Sequence, residues 1–312
     1  MKTEIYIPKN VKIGEACDEY TGCTVILFPK GARCGVDVRG GAPGTRETDL
    51  LKSEKSVQEV NAVVLSGGSA YGLAASTGVM EFCREKKWGF KASGNKIVPI
   101  VTQAVIFDLN DKDYHYPDTD MGRAACEAAM TQTAVFGQKG AGKGATCGKI
   151  RGLKYASKSG VGAATIKVAG INVTAIVCVN ALGDVYEDGK IISGAKNKDE
   201  SFFDTQKWVE DGHVLDIIKG SNTTIGCVLT DAALSKTQCN NIASCAHDGL
   251  ARAIKPVHTD YDGDTIFAVS CGRKPVVNIM LIQTAAARAV ELAIINAVKS
   301  GEGYQIEYFD EE

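Results

Sequence analysis

The chain has 312 residues, of which 45% are hydrophobic, so it is long enough and apolar enough to form one large domain or two ordinary ones. The formal net charge is −2 and the chain has no long basic run, which excludes nucleic acid as an expected partner. The 11 cysteines are odd in number, scattered and without a C-x-x-C pair, a pattern that favours free thiols in a reducing cytoplasm over disulfides or a zinc finger. No apolar stretch approaches the roughly 20 residues of a membrane helix, and the N-terminus lacks the apolar core of a signal peptide.

Strands and helices are predicted in mixed order along the chain. The predicted strands cover residues 24–28, 33–38, 62–65, 97–109, 163–168, 173–179, a run from Thr224 to Leu229, and 265–271. The predicted helices cover residues 70–86, 121–131, 235–254 and 276–299. The last helix is apolar on most faces, which predicts burial between layers. Because the order does not follow strict βαβ alternation, the pattern favours a layered α+β fold over a doubly wound sheet.

One polar segment stands out between these elements. Residues 193–211 include the run Lys196-Asn197-Lys198-Asp199-Glu200, and they are the best candidate for a linker. The segment lies shortly before Asn222, where the chain enters a predicted strand.

The dipeptide Asn222-Thr223 is a candidate site of self-cleavage. A threonine becomes a nucleophile only with a base beside it, and its own α-amino group serves when the chain is cut at the preceding peptide bond. Threonine is also a common strand residue, so this dipeptide alone leaves the ordinary structural role open.

Two other segments compete for the role of active centre. Residues 137–143 (GQKGAGK) match the first seven positions of a phosphate-binding loop, but Gly144 stands where the motif needs Ser or Thr. Ser69 follows a strand and precedes a helix, as a nucleophile elbow would, but Tyr71 replaces the required glycine. The favoured interpretation of Ser69 is a helix cap that acts through its hydroxyl. The favoured interpretation of His247 is a partly exposed helix residue rather than a catalytic one.

The acidic pair Asp262 and Asp264 is the third candidate. Carboxylates one residue apart can orient an amine or hydroxyl, or bind a cation. The sequence 261–264 (YDGD) is also typical of a turn. Since Asp264 leads directly into an apolar strand, the pair is placed where carboxylates can be held rigidly beside a nucleophile on a neighbouring strand.

Taken together, the chain resembles the DmpA-type aminopeptidases and their relatives, the nylon-oligomer hydrolases, which are self-cleaving, N-terminal-nucleophile-like peptidases. The resemblance extends from about residue 10 to residue 300. The stretches that carry it occur in family order: 34–45 (CGVDVRGGAPGT), 65–75 (LSGGSAYGLAA), 98–108 (VPIVTQAVIFD), 140–149 (GAGKGATCGK), 180–185 (NALGDV), 222–226 (NTTIG) and 246–254 (AHDGLARAI).

The resemblance implies a four-layer αββα sandwich, shared with ornithine acetyltransferases, in a single self-processing domain spanning residues 1–312. The precursor would cut itself between Asn222 and Thr223 into an α chain of residues 1–222 and a β chain of residues 223–312. Thr223 would then be the nucleophile, with its new amine or a lysine taking the proton.

The resemblance also implies the remaining site residues. Asp262 and Asp264 match the pair that contacts the nucleophile, and Asn180 matches the side-chain amide of the oxyanion hole. Lys149 matches the lysine beside the nucleophile, with Lys158 as a competitor. Some aminopeptidases of the family have a tyrosine near position 148, whereas this chain has Gly148, so the second oxyanion donor and the substrate pocket are expected to differ.

The expected activity is hydrolysis of amide bonds in small peptides, amino-acid amides or ω-amino-acid oligomers, without a metal or organic cofactor. The resemblance implies a homo-oligomer, a tetramer, with no nucleic-acid or membrane partner. Two alternatives stay open from the sequence: acyl transfer of the ornithine acetyltransferase type, and an uncleaved pseudoenzyme.

Overall fold

A computed structural model describes residues 5–109, 114–131, 134–213, 221–301 and 304–305. It is built on a nine-stranded mixed sheet. The strands in chain order are β1 (Lys12–Cys17), β2 (Gly22–Val38), β3 (Thr45–Arg46), β4 (Glu59–Ser66), β5 (Val101–Val105), β6 (Val161–Val168), β7 (Ile171–Asn180), β8 (Thr223–Ala232) and β9 (Thr265–Lys274). Their spatial order is β6-β7-β8-β9-β2-β4-β5-β3, with β1 paired to the first half of β2.

Five helices and several short elements complete the described residues. The helices are α1 (Ala75–Glu85), α2 (Thr119–Thr131), α3 (Thr205–Glu210), α4 (Lys236–Ala253) and α5 (Ile279–Lys299). The short strands are Phe90–Lys91 with Ile97–Val98, Thr146–Cys147 with Ser157–Lys158, Val135–Phe136 with Tyr304–Gln305, and the trio Asp184–Glu187, Lys190–Ser193 and Ile254–Lys255. The 3-10 turns are Asp49–Leu51, Ser69–Ala74, Ser93–Asn95, Gly140–Gly142 and Leu153–Tyr155.

The long strand β2 joins two halves of the sheet. Its first half pairs with β4 and its second half pairs with β9, with a register shift between Leu27 and Ala32. Gly31 lies in this shift with φ +75°, a conformation that glycine adopts at little cost. An irregularity of this kind bends a strand, which lets the two halves of the sheet face each other.

Apolar side chains alternate between the inner and outer faces of each half. Ile26 of β2 and Ile225 of β8 lie in one cluster between the two halves. Val25 points outward to the cluster under α1 and α2, and Val228 points outward to the cluster under α4 and α5. Because these clusters fill three interfaces between four layers, the structure confirms the expected αββα sandwich.

Helix α4 begins and ends as its sequence predicts. Ser235 and Gln238 form a reciprocal capping box at its start, which satisfies backbone N–H groups that the first turn leaves unpaired. The helix ends at Ala253, shortly before Pro256, which cannot continue a helix.

The structure differs from the predicted elements at several points. The predicted strands 24–28 and 33–38 are parts of the single strand β2. The predicted helix from residue 70 begins as a 3-10 turn, and its α-helical part starts only at Ala75. The predicted strand 97–109 is shorter, since only Val101–Val105 joins the main sheet. Helix α5 lies beside α4 in an outer layer rather than between layers. It is long and apolar enough to cross a membrane by length and composition, but half of that apolar window is buried inside the protein.

The predicted linker is folded over most of its length. Residues 205–210 form α3, and Phe203 and Trp208 pack against a small cluster that contains Ile150 and Leu182. This packing replaces the extended linker that the polar composition indicated, while residues 214–220 lie outside the described residues.

Candidate active site

Thr223 lies where three strands of the central sheet converge. It is the first residue of β8 and pairs with Asn180, the last residue of β7. On the other side, β8 runs parallel to β9, and an isolated parallel bridge joins Asn222 to Asp262 just before the two strands begin. This pairing brings together Asn180, Asn222, Thr223 and the Asp262–Asp264 segment, which are distant in sequence.

The peptide bond between Asn222 and Thr223 is held from two sides. The Thr223 hydroxyl donates a short hydrogen bond to the carbonyl oxygen of Asn222, the carbonyl it would attack. The backbone N–H of Gly263 donates to the same oxygen at 2.9 Å. Asn222 is fully buried and Thr223 is only 3% exposed, so this bond lies inside the protein.

Asp264 fixes the backbone directly after Thr223. Its Oδ1 accepts from the Thr224 N–H at 2.7 Å. Its Oδ2 accepts from the His258 N–H at 3.1 Å and pairs with His258 Nδ1 at 2.8 Å. The Asp264 side chain is only 1% exposed and is bonded to three donors, so it holds the first residues of β8 rigidly in place.

Asp262 has a different set of partners. Its Oδ2 accepts from the N–H and the hydroxyl of Thr259, at 3.0 and 2.6 Å, which closes the turn before β9. Burial, together with the neighbouring Asp264 carboxylate, raises the pKa of Asp262 to about 6. The pair therefore combines both sequence interpretations, since Asp262 holds a turn while Asp264 bonds to the strand that begins with Thr223.

Lys149 is the lysine that the structure places at this site. Its Nζ donates to the backbone oxygen and Oδ1 of Asn180, at 2.9 and 2.7 Å, and to the Ser221 carbonyl at 3.0 Å. Lys158, the competitor, is exposed on a short two-stranded ribbon. Burial lowers the pKa of Lys149 to about 7, so a neutral amine is accessible near neutral pH.

The Asn180 side chain is engaged in the uncleaved chain. Its Nδ2 donates to the Phe107 carbonyl at 2.9 Å, and its Oδ1 accepts from Lys149 and from the Thr146 N–H. The amide is thus close to Thr223 and oriented by three groups, but the bonds it makes here do not include the Asn222 carbonyl oxygen.

Two residues near the site, His247 and Asp108, received no functional role from the sequence. His247 was expected at a partly exposed helix position, but it is fully buried, and its ring lies 4.8 Å from that of His258. Asp108 accepts hydrogen bonds from the Gly68 N–H and from the Thr21 hydroxyl. Burial raises the pKa of Asp108 to about 6, although the nearby charge of Lys149 acts to lower it. These contacts depend on long-range folding, which local spacing does not reveal.

The competing segments serve the fold. Ser69 lies inside a 3-10 turn that has no side-chain cap, so its predicted capping role is wrong. Residues 140–142 of the phosphate-loop-like segment are buried, and the Ala141 N–H donates to Thr24. That packing gives the middle of the segment a structural role, while Lys139 is exposed and Lys143 is half-buried.

Gly148 lies in a constrained part of the site wall. Its φ is +71°, and a Cβ there would lie 1.9 Å from the Ala195 nitrogen and 2.1 Å from the Gly194 carbonyl carbon. A tyrosine cannot occupy this position without displacing backbone. The backbone at residues 194–195 therefore excludes a tyrosine at position 148, where the resemblance led us to expect a departure.

Solved structures share this four-layer αββα arrangement, which belongs to the Ntn-hydrolase fold. The chain resembles the L-aminopeptidase D-Ala-esterase/amidase of Ochrobactrum anthropi, described as a variant of that fold, with a TM-score of 0.71 and 17% identity over 97% of this chain and 89% of that one. A β-aminopeptidase of a Burkholderia species gives a TM-score of 0.66 and 23% identity over 93% and 84% of the two chains.

Sequence comparisons identify the family. The model of peptidase family S58 matches residues 9–307. An uncharacterized aminopeptidase of Mycobacterium leprae is 43% identical over 83% of this chain and 72% of its own length. A 6-aminohexanoate-oligomer endohydrolase of Paenarthrobacter ureafaciens is 34% identical over the same shares of the two chains, 83% and 72%. The chain belongs to peptidase family S58 and is a hydrolase that acts on amide bonds, as its resemblance predicted.

Proposed function

We propose that the chain cuts itself between Asn222 and Thr223 and that the new N-terminal Thr223 hydrolyses amide bonds of small amine-bearing substrates. The products of the cut would be an α chain of residues 1–222 and a β chain of residues 223–312. The names of the related aminopeptidases and of the 6-aminohexanoate-oligomer endohydrolases support substrates among peptides, amino-acid amides and ω-amino-acid oligomers.

The observation that carries this proposal is the contact between the Thr223 hydroxyl and the Asn222 carbonyl group. In the first step the Thr223 oxygen would bond to the Asn222 carbonyl carbon while a base takes the hydroxyl proton. The C–N bond then breaks, the proton passes to the departing amine, and an ester joins Asn222 to the Thr223 oxygen. Water would hydrolyse this ester, giving the Asn222 carboxylate and the free amine and hydroxyl of Thr223.

The buried position of the nucleophile supports a need for processing before turnover. Thr223 is 3% exposed and Lys149 is 7% exposed while the chain is continuous. Two surface cavities, of about 300 and 450 Å³, lie near the C-terminal part of α4, and Thr223 lines neither of them. Cleavage before Thr223 would free the Ser221–Asn222 end, whose carbonyl groups accept hydrogen bonds from Lys149, Gly263 and the Thr223 hydroxyl.

In turnover, each neighbour of Thr223 has a role that its contacts suggest. Lys149 or the new amine would take the Thr223 proton, and the Asn180 amide would donate to the developing oxyanion, a contact worth roughly 3 kcal/mol in comparable sites. Asp264 would hold the backbone after the nucleophile, and Asp262 would hold the turn that carries Asp264.

Asp264→Asn is expected to slow self-cleavage by roughly 10- to 100-fold, because a bond from a buried donor to a charged acceptor is worth about 1.5–3 kcal/mol. In the wild-type protein the Thr224 N–H and His258 Nδ1 each bond to an oxygen of Asp264, and in the variant one of these oxygens is replaced by an NH₂ group. Densitometry of denaturing gels over time measures the rate. Asp260→Asn, at an exposed position of the same turn, is the matched control. If Asp264→Asn is processed at the wild-type rate, Asp264 has only a structural role in the turn and does not assist self-cleavage.

The activity itself is tested with a panel of amides. Short 6-aminohexanoate oligomers, β-dipeptides and amino-acid p-nitroanilides are incubated with the processed protein. Because backbone at residues 194–195 fills the space where a tyrosine side chain at position 148 would begin, we expect weak turnover of p-nitroanilides and better turnover of extended ω-amino or β-linked amides. Acetyl transfer from acetylornithine to glutamate without amide hydrolysis would move the chain to the acetyltransferase type. A processed protein that hydrolyses none of these amides would contradict the proposal.

We also propose a cytoplasmic location and a homo-oligomeric assembly. All 11 cysteines are free thiols, and nine of them are buried, which suits a reducing compartment. The assembly rests on the family resemblance alone, and sedimentation equilibrium of the purified protein tests it.

A further inference from the structure

We infer that the backbone N–H of Gly263 is the oxyanion donor of the self-cleavage step. This inference rests on the proposed cut before Thr223 and assigns the group that stabilises its first intermediate. When the Thr223 oxygen bonds to the Asn222 carbonyl carbon, the carbonyl electron pair moves onto the oxygen. That oxygen already accepts the Gly263 N–H at 2.9 Å, so the donor is in place before charge develops.

Of the groups bonded to that oxygen, Gly263 is the one that remains a donor during attack. The described residues give the Asn222 carbonyl oxygen hydrogen bonds from the Gly263 N–H and from the Thr223 hydroxyl. The hydroxyl loses its proton as it attacks. The Gly263 N–H then remains as the hydrogen-bond donor to the negative charge that forms on the Asn222 oxygen.

The expected oxyanion residue is committed elsewhere at this stage. The Asn180 Nδ2 donates to the Phe107 carbonyl, and the Lys149 ammonium donates to Asn180 and to the Ser221 carbonyl. Self-cleavage and substrate hydrolysis would therefore use different donors: Gly263 for the internal peptide bond, and Asn180 for a substrate that enters after the cut.

The segment that carries Gly263 is fixed on both sides. The Ala42 N–H donates to the Asp262 carbonyl at 2.8 Å, and the Arg39 N–H donates to the Asp264 carbonyl at 3.0 Å. On the other side, the Asp264 side chain bonds to the Thr224 N–H. Backbone held in this way needs little reorganisation as charge forms, which is the condition for efficient electrostatic stabilisation.

Glycine is required at this position by space. A Cβ on residue 263 would lie 2.8 Å from the Thr223 hydroxyl oxygen and 2.7 Å from the Ala42 carbonyl oxygen. Because residue 263 has no side chain, the Gly263 N–H and the Thr223 hydroxyl can both bond to the Asn222 carbonyl oxygen. Gly263→Ala should accordingly block processing by displacing either the hydroxyl or the segment itself.

An amide-to-ester replacement tests the N–H without adding an atom near Thr223. Expressed residues 1–244 are ligated to a synthetic peptide of residues 245–312, since the native Cys245 provides the ligation junction. In the test protein glycolic acid replaces Gly263, which exchanges its N–H for an ester oxygen. The ligated all-amide chain and a chain with an ester at the exposed Asp260 are the controls. After refolding, intact mass over time gives the rate of the cut before Thr223.

We expect the ester at residue 263 to slow self-cleavage by about 10²- to 10³-fold, the effect of removing one oxyanion donor, while both controls are cut at the wild-type rate. Equal rates for the two esters and the all-amide chain would overturn the assignment of Gly263 and leave the self-cleavage proposal standing. An all-amide control that stays uncut would overturn both.

A pre-cleaved form separates the two reactions. Residues 1–222 and 223–312 are refolded together, with the ester or with the native amide at residue 263. We expect the ester to slow amide hydrolysis by less than tenfold, because the Asn180 amide, rather than the Gly263 N–H, would donate to the oxyanion of a substrate. A loss of substrate turnover as large as the loss of processing would contradict a role specific to self-cleavage.

Discussion

Thr223→Ala is expected to remain full-length under every condition and to hydrolyse no amide substrate. Alanine lacks the hydroxyl that contacts the Asn222 carbonyl group, so neither the acyl shift nor attack on a substrate can begin. Denaturing gels and the substrate panel measure the two losses. Because Thr223 is buried and small, the variant should fold, and circular dichroism should show the wild-type spectrum.

The neighbouring threonine provides the matched control for this variant. The Thr224 hydroxyl is buried and makes no hydrogen bond in the described structure, so Thr224→Val removes a polar group without a partner and keeps the shape of the side chain. We expect Thr224→Val to be processed at the wild-type rate with no loss of stability. Processing of Thr223→Ala, or a block in Thr224→Val as complete as that of Thr223→Ala, would contradict the assignment of the nucleophile.

Lys149→Met is expected to slow processing and turnover by about 10²- to 10⁴-fold, the usual contribution of a general base. Methionine keeps an unbranched side chain of similar length but cannot accept a proton. It also leaves the oxygens of Asn180 and Ser221 without the Lys149 donor. Lys158→Met, at an exposed position, is the control and should leave both rates unchanged. A Lys149→Met protein that is processed at the wild-type rate would assign the proton transfer to another group.

The same lysine predicts the pH dependence of processing. Burial lowers the pKa of Lys149 from 10.5 to about 7, although the nearby carboxylates of Asp262 and Asp108 act in the opposite direction. Only the neutral amine accepts a proton, so the rate should rise with pH, reach half its maximum near pH 7 and level off above pH 8. Refolding a denatured precursor at a series of pH values measures this profile. A rate that falls between pH 6 and pH 8 would exclude Lys149 as the base.

The sequence predicted most of the strands and helices because its apolar residues follow regular periods, and the family resemblance implied their arrangement in four layers. The buried runs of β7, β8 and β9 and the amphipathic pattern of α4 are local signals, and the ordered family stretches placed Thr223 at a strand start. The position of α5 was less predictable, since an apolar helix of its length can lie between layers or cover one side of a sheet. Its place beside α4 is decided by packing across the whole domain.

The sequence named candidate site residues, and the structure brings them together, but the contacts between them could not be predicted. A local pattern shows that Asp262 and Asp264 are one residue apart, but only the parallel pairing of β8 with β9 sets Asp264 against the Thr224 N–H. The roles of His258 and Gly263 depend on the same pairing. No spacing in the sequence could connect Gly263 with a carbonyl group 41 positions earlier.

The intact mass of the purified wild-type protein tests the central claim most directly. After incubation at neutral pH, self-cleavage predicts two species whose masses correspond to residues 1–222 and 223–312, and N-terminal sequencing of the smaller one should begin Thr-Thr-Ile-Gly. A single full-length species after prolonged incubation, or a smaller species that begins at any residue other than Thr223, would contradict the account.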